Sequence, residues 1–202
     1  MKKIVSLSIL LATVAIISAQ EIEQVPRRDA VRIAAYLNFD LSLFNTTPIP
    51  TDADVKRPVG MRVGEYAGLI VPECKLSPDT FKNIEPNKVI PVGQLWLHKI
   101  ALMKNDELIS TDKMQPVPFE YRDTQTQVNL CLLGARKNQD GKLELLIFGK
   151  DKNPLLTLPI KETETTQENP IEIAAQLVDS YAKITLKLVG KYQATFVATN
   201  AE

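Results

Sequence analysis

His98 is the only histidine among the 202 residues, so any Ser–His or Cys–His nucleophilic mechanism would have to use it. It alternates with Trp96 and Ile100 in an apolar run, which places these three side chains on one face of a predicted strand. A packed histidine with one hydrogen-bonded ring nitrogen fits this position equally. No serine is flanked by glycines, so the G-x-S-x-G nucleophile motif is missing. The sequence disfavours an acyl hydrolase and leaves Trp96 and His98 as candidate ligand contacts.

Acidic residues in predicted loops are the other candidates for chemistry, because two carboxylates can hydrolyse a glycosidic bond. The pairs are Asp52 with Asp54, Asp106 with Glu107, and Glu120 with Asp123. Each pair also fits ordinary solvated loop charge. Calcium could bind Asp52 and Asp54, but this loop lacks the glycine and the later glutamate of a full calcium motif. We expect no catalytic residues, no metal site and no cofactor, and a small hydrolase using loop carboxylates is the second alternative.

Tyrosines could serve a binding function, because sugars stack on exposed aromatic rings. Tyr36 falls on the polar face of a predicted strand, so we expect it to be exposed and treat it as a third candidate ligand contact. An exposed tyrosine also occurs on ordinary protein surfaces. The other tyrosines are Tyr66, Tyr121, Tyr181 and Tyr192. A carbohydrate- or small-ligand-binding module is the first alternative function.

Residues 1–19 have the three parts of a secretory signal peptide. Lys2 and Lys3 precede an almost purely apolar run over 4–17, and small residues end the segment at Ala19. The run has about fourteen residues, whereas a membrane-spanning helix needs about twenty. We predict cleavage after Ala19 and a periplasmic or extracellular product without a membrane span; an uncleaved N-terminal anchor is the alternative. The short lysine start is typical of bacteria.

Charge and length restrict the exported product, residues 20–202, which we expect to form a single domain. The full chain has 24 basic and 24 acidic residues. Removal of Lys2 and Lys3 lowers the basic count from 24 to 22 and leaves a net charge of −2. A nucleic-acid-binding surface would normally show a basic excess. We therefore expect an unknown protein or glycan partner and no nucleic acid.

Cys74 and Cys131 are the only cysteines. An even count in an exported chain is compatible with a disulfide, worth about 4 kcal/mol in the chain-entropy model. Two thiols acting as small hydrophobic side chains are the alternative. The chain has no C-x-x-C motif, so we expect neither a redox-active pair nor a zinc site of ordinary spacing.

Alternating or continuous apolar residues predict nine strands, of which 90–103 is apolar on both faces and should lie centrally in its sheet. The clearest alternation covers 31–43, where seven apolar residues repeat at period two. Residues 171–178 also alternate, but Asn169 and Pro170 before them suit a helix start, so a helix is the alternative there. The remaining predicted strands are 62–71, 90–103, 126–136, 143–149, 155–160, 184–188 and 192–199.

Turn and loop signals separate these strands. Asp140-Gly141 and Gly190-Lys191 mark hairpins, and Ser77-Pro78-Asp79 can open a short helical turn. Irregular segments are predicted over 45–58, 110–124 and 161–169. The pattern predicts an all-β protein, an antiparallel β-sandwich of about eight to nine strands with long proline-rich loops in the first half; a barrel is the alternative. We expect an exported, non-catalytic, envelope-associated binding or structural module.

Overall fold

A computed structural model describes residues 21–41, 47–121 and 124–201 of the chain. The predicted signal peptide, 1–19, lies outside the described residues. Two antiparallel sheets pack against each other, and a helix covers the outer face of the larger one. The predicted all-β antiparallel sandwich is confirmed.

The larger sheet has eight strands. They are β1 (Glu23–Gln24), β2 (Val59–Val63), β3 (Tyr66–Pro72), β4 (Ile90–His98), β7 (Gln115–Tyr121), β8 (Thr124–Lys137), β9 (Leu143–Phe148) and β10 (Pro154–Pro159). Their order is β1-β2-β3-β4-β8-β9-β10, and β7 also pairs with β8. Because β4 lies between β3 and β8 and most of its side chains are buried, its predicted central position is confirmed.

The smaller sheet has six strands. They are β5 (Ile100–Lys104), β6 (Glu107–Leu108), β11 (Lys161–Glu162), β12 (Ile171–Val178), β13 (Tyr181–Leu188) and β14 (Tyr192–Asn200). Their order is β12-β13-β14-β5-β6, and β11 also pairs with β14. The inner faces of both sheets form the main hydrophobic core, which includes Leu97, Leu133, Leu186 and Phe196.

The predicted strand over 31–43 is wrong, because its described part belongs to helix α1 (Arg27–Leu41). Ala30, Ala34 and Leu37 follow a helical spacing and are all buried against the outer face of the larger sheet. Phe39, which the alternating pattern assigned to the core, is 68% exposed. The apolar residues of this segment fit both the strand period of two and the helix period of 3.6. The helix forms here because its apolar side packs on the outer face of the larger sheet.

Two predicted strands are each divided in the structure. The segment 62–71 falls in a hairpin of β2 and β3, whose turn includes Gly64 at φ 57°, a left-handed conformation that glycine adopts without strain. The segment 90–103 is divided into β4 and β5, which belong to different sheets. Lys99, at φ 55°, lies at the point where the chain changes sheets.

The irregular segment predicted over 110–124 is also wrong, since it contains a 3-10 helix (Thr111–Lys113) and the strand β7. Pro116 and Pro118 are two residues apart, so their missing backbone N–H groups belong to the same side of the strand. Among the described strands, β7 pairs only with β8, which leaves its other side as a sheet edge. Prolines whose missing N–H groups belong to that edge remove no hydrogen bond between strands. Two prolines are therefore compatible with an edge strand.

Other local predictions are confirmed. A short helix, α2 (Pro78–Lys82), begins after Ser77, and Gly141 has a positive φ of 76° in the β8–β9 hairpin. Residues 171–178 form the strand β12, and β13 and β14 form the predicted hairpin. The segment 161–169 is irregular apart from the two residues of β11. Neither described helix has the length and apolar character needed to cross a membrane.

Candidate functional site

A cleft opens between the two sheets at one end of the sandwich, with a volume of about 280 Å³. Its walls are β2, β3 and β4 on one side and β12, β13 and β14 on the other. The turns that join β2 to β3 and β12 to β13 both lie at this end. The volume is near the lower limit of about 300 Å³ for small-molecule pockets, and it exceeds the roughly 150 Å³ of an engineered apolar cavity that binds benzene.

Small residues on both walls create this space. At Gly68 of β3, an added Cβ would meet only Leu97 Cδ2 at 3.9 Å and the Trp96 carbonyl oxygen at 4.0 Å. Three alanines on the opposing wall are similarly small: Ala175, Ala182 and Ala198. Packed sheets lie about 10 Å apart and normally fill the gap with interdigitating side chains. A glycine facing alanines leaves that gap partly empty.

The strand register shows where the alanines lie along the cleft. They belong to the two rows of paired, inward-facing residues nearest the mouth. Ala182 pairs with Ala198, and Ala175 lies one row deeper, opposite Ile184. The next row contains Leu186, which is fully buried in the main core. The open space is therefore confined to the end of the sandwich.

Large apolar side chains close the inner end of the cleft. Ile70 is 0% exposed, and Leu95 and Phe196 are each 3% exposed. From Tyr66 at the mouth to Ile70 is four residues along β3, or about 13 Å at 3.3 Å per residue. Ile70 and Leu95 pair with each other one inward-facing row beyond Gly68, and Phe196 lies in the row of Ala175; we call these three residues the floor.

Among the described residues that line the cleft, the polar ones lie only in strand ends and turns around the mouth. They are Arg62, Tyr66, Asp179, Ser180, Tyr181, Thr199 and Asn200. The Thr199 hydroxyl donates its proton to the Ser180 carbonyl at 2.7 Å and lies 2.9 Å from the side-chain amide of Asn200, which joins the end of β14 to the β12–β13 turn. The interior walls are apolar, so a bound group would find hydrogen-bond partners only at the mouth.

Two ion pairs neutralise charge beside the mouth. Lys99 pairs with Glu65, next to the cleft residue Tyr66, and Arg62 pairs with Glu23 at 2.6 Å. The hydrogen bond and positive charge of Lys99 lower the pKa of Glu65, and Glu65 correspondingly raises the pKa of Lys99. The side chains of both pairs are about half exposed, so each pair contributes little to the stability of the fold.

A second cavity, of about 430 Å³, lies between α1 and the outer face of the larger sheet. Trp96 and His98 both line it, so these two share a face as predicted, and Leu37 lines it from the helix. Ile100, predicted on the same face, lies in β5 of the other sheet and lines the inter-sheet cleft instead. Trp96 is only 2% exposed, whereas His98 is half-buried, with Nδ1 3.3 Å from the Gln127 carbonyl oxygen. The structure thus brings two of the three candidate ligand contacts together beneath the helix.

The tyrosines are distributed over different parts of the molecule. Tyr36, the third candidate ligand contact, is 56% exposed on α1 and is not among the residues lining either cavity. Tyr66 and Tyr181 lie on opposite walls at the mouth of the inter-sheet cleft. Tyr192 is buried, with its ring centroid 4.9 Å from that of Phe81. The side chain of Tyr121 lies outside the described residues.

No disulfide joins Cys74 and Cys131 in the structure. Cys131 is fully buried in the main core, and this burial raises the pKa of its thiol to about 12. Cys74 follows β3 at the surface, where desolvation and the nearby Asp52 carboxylate raise the pKa of its thiol. Of the two possibilities left open by the sequence, the surroundings of Cys131 fit a thiol that packs as a small hydrophobic side chain.

The loop carboxylates have structural partners. Both carboxylate oxygens of Glu73 accept from the Asp52 backbone N–H, at 3.0 and 2.9 Å. Asp54 accepts from the Lys56 backbone N–H at 3.1 Å and from Arg57 Nε at 2.6 Å. These contacts hold the loop before β2 against the end of β3.

The other predicted acidic pairs lie elsewhere. Asp106, at φ 64°, belongs to the turn before Glu107 in β6. Glu120 accepts from Gln125 Nε2 at 3.4 Å, and Asp123 lies outside the described residues. Within the part of the chain that the structure describes, no group of three His, Cys, Asp or Glu side chains is placed to hold a metal ion.

Comparison of the chain with models of known protein families, with curated proteins and with solved structures finds no match. The inter-sheet cleft was missed by the sequence reasoning, although part of its signal is present. Ala175 and Ala198 occupy positions where the predicted alternation expects a core side chain, whereas Gly68 falls on the other face of the predicted strand 62–71 and Ala182 precedes the predicted strand 184–188. Only the pairing of strands shows that these small residues face one another.

Proposed function

We propose that this protein is an exported, non-catalytic binding module whose inter-sheet cleft receives the apolar part of a small ligand. The observation that carries the proposal is the pairing of an open apolar cleft with a polar mouth. An apolar group that displaces water from a solvent-exposed apolar cavity binds favourably. Burial of apolar surface makes the binding free energy more favourable by about 25 cal/mol per Å². The N-terminal sequence supports export, because residues 1–19 have the composition of a signal peptide.

Of the two forms of ligand-binding module, the small-ligand form has more support than the carbohydrate form. Sugars carry hydroxyl groups on most carbon atoms, and each buried hydroxyl needs a hydrogen-bond partner. The interior walls of the cleft offer aliphatic side chains such as Leu97 and Ile173. A sugar could contact only the mouth, through Tyr66 and Tyr181.

The non-catalytic part of the proposal is supported by the surroundings of the loop carboxylates. Asp54, a member of the predicted Asp52–Asp54 pair, and Glu73, which accepts from the Asp52 backbone N–H, both take part in hydrogen bonds that hold their own loop together. Neither lines either of the two cavities described above. The hydrolase alternative therefore has little support from these residues.

The proposal is tested with N-phenyl-1-naphthylamine, an uncharged probe that fluoresces strongly in apolar surroundings. We expect the purified protein to bind it and the variant Ala175→Leu to lose binding, because a leucine would occupy the cleft. Ala174→Leu is the matched control, since residue 174 is the exposed neighbour on the opposite face of β12. Equal binding by both variants, or no binding by the wild type, would refute the proposal.

A further inference from the structure

The walls of the inter-sheet cleft indicate what kind of group enters it. Its interior side chains are aliphatic except for Phe196 and the thioether of Met61, and its polar residues surround the mouth. A polar atom carried past the mouth would lose its hydrogen bonds to water without replacement, at a cost of about 1–3 kcal/mol. The entering group must therefore be a hydrocarbon, with any polar atoms held back at the opening.

The dimensions of the cleft restrict the shape of that hydrocarbon. The space follows the strands from the mouth to the floor and is made by small side chains on facing walls, Gly68 opposite the alanines. The gap between the sheets is about 10 Å between backbone planes, and residual side chains occupy most of it. The length of this space, about 13 Å from Tyr66 to Ile70 at 3.3 Å per residue, together with its volume of about 280 Å³, favours a long and thin group.

The mouth indicates the polar end of the ligand. Tyr66, Ser180, Tyr181 and Asn200 supply hydroxyl and amide groups, which bind uncharged polar groups. The cations near the opening already have acidic partners, Lys99 with Glu65 and Arg62 with Glu23. Asp179 adds a carboxylate to the rim, which would repel an anionic ligand.

From these features we propose that the cleft binds a single-chain aliphatic compound with an uncharged polar head, such as a long-chain alcohol or ester. The chain enters first and ends against Phe196, and the head remains among the hydroxyl and amide groups of the mouth. This inference depends on the proposed function, because it names the ligand class of the same cleft.

The test is displacement of N-phenyl-1-naphthylamine by straight-chain primary alcohols from hexanol to tetradecanol. Each added methylene should tighten binding about fourfold, the factor that corresponds to about 0.8 kcal/mol, until the chain reaches the floor. Beyond that length the affinity should level off. The variant Phe196→Leu, which keeps an apolar residue in the core, should move this plateau to longer chains, and Ala174→Leu should not move it.

The head group is tested with fatty acids of the same chain lengths. We expect them to bind more weakly than the alcohols, and we expect Asp179→Asn to tighten fatty-acid binding by about two- to fivefold while leaving alcohol binding unchanged. Asparagine suits residue 179, whose φ is 52°. Tighter binding of fatty acids than of alcohols by the wild type would overturn the uncharged head.

The outcomes separate this inference from the proposed function. If the probe binds in an Ala175-dependent manner but planar aromatic hydrocarbons displace it and alcohols do not, the cleft is a binding site and the aliphatic ligand is wrong. An affinity that does not depend on chain length would also refute the aliphatic ligand. If the probe does not bind at all, both proposals fail.

Discussion

The side-chain oxygen of Gln94 accepts a hydrogen bond from Nε1 of Trp96, at 3.1 Å, in the interior of the larger sheet. The amide nitrogen of Gln94 donates to Asn38 Oδ1 of α1 at 3.3 Å and to Thr51 Oγ1 at 3.2 Å. Gln94 is 1% exposed and Trp96 2% exposed. One buried amide thus connects the central strand, the covering helix and the loop that leads into β2.

We expect Gln94→Leu to lower the free energy of unfolding by about 1–3 kcal/mol, because Trp96 Nε1 would remain buried without its acceptor. Trp96 is the only tryptophan, so its fluorescence during urea unfolding reports the change directly. Gln176→Leu, at an exposed position on β12, is the control and should change stability by less than about 0.5 kcal/mol. Equal stability of the two variants would show that the connection through Gln94 is unimportant.

Filling the inter-sheet cleft should stabilise the protein. Ala175→Leu places a larger apolar side chain in the open space, and cavity filling typically raises the free energy of unfolding by about 0.5–2 kcal/mol. The same variant should lose probe binding, so stability and binding change in opposite directions. Urea unfolding of Ala175→Leu and Ala174→Leu tests this, and a destabilised Ala175→Leu would mean that the cleft is too small for the added side chain.

The two thiols should differ in reactivity. We expect the protein purified without reductant to have the mass of two free thiols, with Cys74 alone reacting with iodoacetamide until the protein is unfolded. Asp52→Asn should accelerate the reaction of Cys74 at pH 8, because loss of the carboxylate lowers the pKa of the thiol. Asp151→Asn is an exposed control. A mass lower by two hydrogens would establish the disulfide instead.

The ion pair between Glu65 and Lys99 should give a small pH-dependent stabilisation. Since folding lowers the pKa of Glu65, its contribution is present above the ordinary glutamate pKa, 4.5, and is lost as the pH falls through the lower value of the folded state. Glu65→Gln should therefore be less stable than the wild type at pH 7 and equally stable at strongly acidic pH. Unfolding midpoints at both pH values test this, with Glu107→Gln as a control; a difference that persists in acid would exclude the ion pair as its cause.

Export should remove the N-terminal segment. Expression of the full chain in a bacterial host with a secretory pathway should yield a product in the periplasm or medium that begins at Gln20, as measured by intact mass. Leu10→Arg interrupts the apolar run and should leave the uncleaved chain inside the cell, whereas Ser8→Ala should be exported normally. Retention of the wild-type segment would favour the N-terminal anchor.

Much of the fold followed from local patterns. Alternation identified both halves of the hairpin of β13 and β14, and the turn at Gly141 located the β8–β9 hairpin, because these features depend on neighbouring residues and local backbone conformation. The residues 31–41 were assigned wrongly because their apolar side chains satisfy the strand and helix periods together. The position of Lys99 was missed because a change of sheet has no sequence signal of its own.

The sequence by itself determined the all-β class, most strand positions and the expectation of export, because each depends on composition or on residues close together in the chain. The tertiary structure decided which small residues face one another. Gly68 and Ala175 are separated by more than a hundred residues, and neither one alone indicates a cavity. Only the tertiary structure shows that both line the same space, since a cavity depends on both walls at once.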